Sequence, residues 1–176
     1  MKKTFIEVPD NKETILDAII TEGLLVAKQK YGAKFGTMTA AIVRHGKVIA
    51  LKAESIIGSI ETDYDLEATW DDGIKGISYF GYVLGKLAQT VRTRKPSDEF
   101  EALGYGESDS EGSDVLHFFC YDAEGKITHF SIIAGFSGLE SKEDFEVSHQ
   151  ALGAGWMRMS SMKNPNGSDP DINKNC

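Results

Sequence analysis

The chain has 176 residues, 41% of them apolar and 26% charged, with 18 Gly, 4 Pro, 2 Cys and a formal net charge of −8. That length fits one domain able to bury its own core, and the composition excludes collagen-like, disulfide-stapled and wholly disordered classes. No apolar run approaches the ~18 residues that span a bilayer. Glu7, Pro9 and Asp10 interrupt the basic N-terminus before a signal-peptide apolar region can form, so a soluble, cytoplasmic domain with no membrane partner is expected.

Charge narrows the partners further. Asp98, Glu99, Glu101, Glu107, Asp109, Glu111 and Asp114 crowd the segment 97–114, which holds no Lys or Arg. Those seven acids supply most of the −8, and the rest of the chain is nearly neutral. It lacks the broad positive surface that a phosphate backbone requires, so no nucleic acid partner is expected. The dense basic run Arg92-Thr93-Arg94-Lys95 suits the C-terminal end of a helix, where the dipole favours cations.

In chain order, residues 11–31 read as an amphipathic helix, capped by Asp10 or Asn11 and stopped by Gly32. Gly23 in its middle marks a close contact. Residues 37–44 and 47–54 are β-prone runs around His45-Gly46, an X-Gly hairpin turn. Pairing Arg44 with Lys47 places Val43 opposite Val48 and Ile42 opposite Ile49. The stretch Ser55–Trp70 carries no clear pattern. From Asp71 to Thr93 a helix follows, with Ile74, Ile77, Leu84, Leu87 and Val91 as its apolar stripe and Lys75, Ser78, Tyr82, Lys86 and Gln89 opposite.

Residues 104–114 read as an acidic Gly/Ser-rich loop. Val115–Tyr121 and Lys126–Ala134 then form a second hairpin around Asp122-Ala-Glu-Gly125. Gly135 to Ser141 reads as a turn, and Lys142 to Met159 as the last helix, with Ser141 and Asp144 as its capping signal. Residues 160–176 form a polar tail with no core pattern, leaving one domain over 1–159. Hairpins separated by helices give an α+β sandwich with an antiparallel sheet.

The chemistry-bearing side chains are few. Cys120 and Cys176 make neither a disulfide framework nor a Cys-x-x-Cys motif, and the four histidines, His45, His117, His129 and His149, show no H-x-x-x-H spacing. No nucleophile elbow, P-loop or dinucleotide fingerprint is present. Asp-x-x-Gly at 122–125 favours an even turn, which pairs His117 with Phe130 and sets His117 and His129 on opposite faces. No bis-His site is expected across that hairpin, and no metal-ligating set elsewhere, although a single imidazole can serve as an axial ligand.

Three stretches in order resemble the GlcG/HbpS-like, or haem-degrading domain, family. They are the Ala-Ala-Ile-Val-x-x-Gly-Lys-Val-Ile-Ala hairpin within 36–53, Asp72-Gly-Ile-Lys75-Gly-Ile-Ser78, and Gly135-Phe-Ser137-Gly138-Leu-Glu-Ser-Lys-Glu143-Asp144. The resemblance as a whole covers about residues 10–158. The resemblance implies a profilin-like antiparallel sheet flanked by helices, assembly into homo-oligomers and, in some members, binding of haem or a related tetrapyrrole. Lys75 and Ser78 match the family's helix motif, Ser137 and Gly138 its closing turn, and Glu143 and Asp144 the acidic pair opening its last helix. The chain departs from the family in a longer, more polar segment at 55–70, in the acidic segment, and in a first helix without the axial His of some haem-binding relatives.

The leading expectation is therefore a homo-oligomeric, small-molecule-binding domain with a tetrapyrrole-like ligand. Lys75, Ser78 and Tyr82 supply polar contacts, Ser137 and Gly138 the turn, Phe118 and Phe130 an apolar floor, and His129 or His117 the ligand to any iron. Two other readings stand beside it: a non-catalytic scaffold recruiting a partner protein through the acidic loop, and an enzyme acting on a small organic acid or aromatic substrate with Lys75 as electrophile or base.

Overall fold

The structure, a computed structural model, describes residues 12–56, 79–97, 112–121 and 127–161. Its elements are α1 (Lys12–Lys30), β1 (Thr37–Arg44), β2 (Lys47–Ser55), α2 (Tyr79–Thr93), β3 (Ser113–Tyr121), β4 (Ile127–Ser137) and α3 (Ser141–Ser161). The four strands form one antiparallel sheet in the order β2-β1-β4-β3. The class is α+β with helices on both faces of the sheet, as the order of elements predicts.

Strand alternation divides the core in two. Met38, Ala40 and Ile42 of β1, with Phe130, Ile132, Ala134 and Phe136 of β4, point to one face and pack against α1 and α3. Ala41, Val43, Val115 and Ile133 point to the other and pack against Leu87 and Val91 of α2. The two central strands are thus buried on both sides, which is why β1 reads as an almost unbroken apolar run. Among helix contacts, Gly23 lets α1 approach β1: a Cβ there would lie 2.6 Å from Met38 Sδ. The stop after α1 is Gly32 at φ +66°.

The first hairpin turns at His45 (φ 51°) and Gly46 (φ 74°), with Arg44 opposite Lys47 and Val43 opposite Val48 as expected. Ile42 pairs with Ala50 rather than Ile49, because the register shifts by one residue there. Ile49 is the extra residue of a β-bulge.

Four further expectations need correcting. Strand β4 runs to Ser137, through the stretch read as a turn. Gly135 serves helix packing instead, since a Cβ on it would come within 3.0 Å of Val83 Cγ2 on α2. Strand β3 starts at Ser113, so the expected loop ends earlier. The buried residues of α2 are Val83, Lys86, Leu87 and Thr90, which puts Lys86 on the inner face with Leu87 and not opposite it. The last helix continues to Ser161, two residues past Met159. No helix among the described residues is long and apolar enough to cross a membrane.

Candidate functional site

The second hairpin decides where the histidines point. Its register pairs His117 with Ser131, Phe118 with Phe130 and Phe119 with His129. The partners Tyr121 and Ile127 bracket an odd number of residues, 122–126, so the expected pairing of His117 with Phe130 is off by one. A shift of one residue moves every side chain to the other face. His117, His129 and Ser131 therefore share the α2 face, where opposite faces were expected.

On that face their polar atoms converge. His117 Nδ1 lies 3.1 Å from His129 Nε2 and 2.8 Å from Ser131 Oγ, and Ser131 Oγ lies 3.4 Å from His129 Nε2. The imidazole centroids are 5.1 Å apart with planes tilted by 31°. The far side of His117 is held as well: its Nε2 sits 2.9 Å from the carbonyl oxygen of Arg94. A carbonyl can only accept, so Nε2 carries the hydrogen and the neutral ring presents a lone pair at Nδ1.

Arg94 has that position because α2 ends just before it, at Thr93, and Arg94 itself adopts φ 59°. Its amide closes the helix onto the Thr90 carbonyl at 2.8 Å. A bulky residue in the left-handed region is costly and points to a local constraint. Here the turn aims the peptide carbonyl at His117. His117 is exposed and His129 half-buried. Burial, reinforced by the neighbouring His117, Arg94 and His45, holds His129 below the ordinary imidazole range.

The other positions named from the sequence lie elsewhere. Tyr82 is 43% exposed near the start of α2, beside Val83, which packs over Gly135. Gly135 and Ser131 are four residues apart on β4, about 13 Å at the usual rise. Ser137 is buried, and Gly138 (φ +153°) is pressed against another loop, where a Cβ would meet Gly36 Cα at 2.5 Å. That contact gives Ser137-Gly138 a packing role joining β4 to the approach to β1. Lys75 and Ser78 lie outside the described residues. Phe118 and Phe130 stack on each other, centroids 4.9 Å apart, and Phe118 on Trp156 at 5.5 Å, all on the α1/α3 face. They belong to the core and do not floor a recess beside the histidines.

A second polar cluster, not foreseen, closes the opposite end of the α2 face. Lys86 Nζ donates to Asp144 Oδ2 at 2.9 Å, and both side chains are almost wholly buried. The other oxygen of Asp144 accepts from the amide of Leu139 at 2.9 Å, so this carboxylate holds the turn before α3 as well as a cation. Burial outweighs Lys86 and the amides, and pushes the Asp144 carboxyl up to about 6. Its capping position in the sequence gave no sign of the lysine, because Lys86 sits 58 residues away. Beside it Ser97 Oγ accepts from the amides of Gly112 (2.8 Å) and Ser113 (2.9 Å) and donates to the Ser113 carbonyl (2.8 Å). Thr90 and Ser113 hydroxyls meet at 2.6 Å. Every member is paired, so the cluster is a clamp rather than an open site.

Among the described residues no group of three or more His, Cys, Asp or Glu could hold a metal ion. No family model and no curated protein sequence matches the chain.

Proposed function

We propose that the chain is a homo-oligomeric, small-molecule-binding domain of the GlcG/HbpS-like kind, with haem or a related tetrapyrrole as its ligand. The observation that carries this reading is the convergence of two imidazoles on the α2 face, with His117 Nδ1 and His129 Nε2 3.1 Å apart. An imidazole nitrogen can serve as an axial ligand to haem iron, and the charge of Arg94, which acts on His129, would attract the carboxylates of such a ligand. His117 or His129 would hold the iron, which when bound supplies Lewis-acid and redox chemistry. The chain's own residues fix the ring of His117 through the Arg94 carbonyl, and burial holds His129 below the ordinary imidazole range. For assembly, β2 lies at a sheet edge and exposes Val48, Ile49 and Leu51 at 45%, 40% and 49%. An identical strand can pair with such an edge about a two-fold axis. Native mass spectrometry of freshly purified protein tests both parts together. Multimers carrying a tetrapyrrole mass support the reading, and a bare monomer before and after addition of haemin contradicts it.

A second reading, a scaffold that recruits a partner protein through the acidic segment, draws on the Ser97 clamp. Ser97 ties the two ends of that segment together at Gly112 and Ser113, which would present its charge from a fixed stem. Removal of residues 100–109, leaving the clamp intact, would abolish partner capture on this reading and leave ligand uptake unchanged.

A further inference from the structure

The three polar atoms at the second hairpin have a shape of their own. His117 Nδ1, His129 Nε2 and Ser131 Oγ form a triangle with edges of 3.1, 2.8 and 3.4 Å. Donors about 2.1 Å from a tetrahedral ion stand about 3.4 Å from one another, so the triangle, slightly smaller, approximates one face of a coordination tetrahedron.

We propose that His117, His129 and Ser131 bind a single divalent transition-metal ion of the zinc, nickel or copper type. Imidazole nitrogens select these ions over magnesium and calcium, which take oxygen. The Arg94 carbonyl at 2.9 Å from His117 Nε2 plays the part of the outer-shell acceptor that ligating histidines almost always have, fixing the tautomer and the ring. The strained turn at Arg94 (φ 59°) is what delivers that carbonyl. Three protein donors leave a fourth position for water or an exogenous ligand, the pattern of open rather than structural metal sites. All three donors sit on adjacent strands, so the site is preformed by the ladder: His117 and Ser131 are direct cross-strand partners, and His129 follows two residues along the same face.

This goes beyond the tetrapyrrole reading and does not need it. An axial ligand uses one ring, whereas a bare ion uses both, together with a hydroxyl.

Calorimetric titration of the full chain with zinc chloride tests the site. One ion per chain is expected, with His117→Ala and His129→Ala each weakening binding at least about tenfold, and Ser131→Ala weakening it less. His45→Ala and His149→Ala should bind like the wild type. Correlation spectra of the imidazole nitrogens keep the test independent of folding defects in the variants: on zinc addition Nδ1 of His117 and Nε2 of His129 shift together, while Nε2 of His117 keeps its hydrogen. Absence of zinc uptake, wild-type affinity in the double histidine variant, or loss of the hydrogen from Nε2 of His117 would overturn the proposal, and Ser131→Ala binding at full affinity would overturn its three-donor form. Haemin uptake has no bearing on any of these outcomes.

Discussion

Lys86 Nζ lies 2.9 Å from Asp144 Oδ2 with both side chains almost wholly buried, and this contact ties the helix on one face of the sheet to the first turn of a helix on the other. Removing one member leaves the other charge buried without its partner, which costs about 3–5 kcal/mol. Lys86→Met is therefore expected to lower the denaturation midpoint sharply. The double variant Lys86→Met/Asp144→Leu should recover part of the loss, because it leaves no unpaired buried charge, while the Leu139 amide still loses the acceptor it has in Asp144. Urea denaturation of the single and double variants checks this.

The same carboxyl makes stability depend on pH. Folding raises Asp144 from 3.8 to about 6 through burial, so between those values the folded chain holds a proton that the unfolded chain has released. Its stabilising contribution is complete below pH 3.8 and is lost as pH rises through 6. The difference in pKa corresponds to about 3 kcal/mol. Asp144→Asn should flatten that part of the stability profile between pH 4 and 7, measured as the denaturation midpoint at each pH relative to wild type.

Ser97 offers a separate test of the clamp. Its hydroxyl satisfies the amides of Gly112 and Ser113 at 2.8 and 2.9 Å. Ser97→Ala strands both amides in a buried setting and is expected to cost about 2–3 kcal/mol. Amide hydrogen exchange at Gly112 and Ser113 should accelerate in the variant more than exchange in β1.

Arg94 occupies the left-handed region at φ 59°, a conformation that costs most residues about 1 kcal/mol and glycine almost nothing. Arg94→Gly is expected to raise stability by about that amount. It also keeps the carbonyl that faces His117, so the imidazole should retain its Nε2 hydrogen in the variant.

Much of the fold was legible because local signals carried it. Gly46 after His45 set the first hairpin's turn and the Arg44–Lys47 pair, and Gly32 marked the end of α1. Where a residue's role depended on a distant partner, the reading failed. Lys86 read as part of a polar stripe with Lys75, Tyr82 and Gln89, and only the arrival of Asp144 explains its burial. Gly135 looked like a turn because nothing local shows that Val83 crosses above it. The histidines were misplaced by a single residue of loop length. An even turn separates His117 and His129, whereas the odd count 122–126 unites them with Ser131. Among the described residues, His117 and His129, expected on opposite faces, are brought together by the one-residue difference in register.

The central claim, that the His117–His129 pair is a ligand-binding centre, is tested most directly by titrating haemin into the wild-type chain and into His117→Ala, His129→Ala and the double variant while following the Soret band. The account predicts a saturable shift in the wild type at micromolar haemin, weakened in each single variant and absent in the double. An unshifted wild-type band, or a double variant that titrates like the wild type, would contradict it.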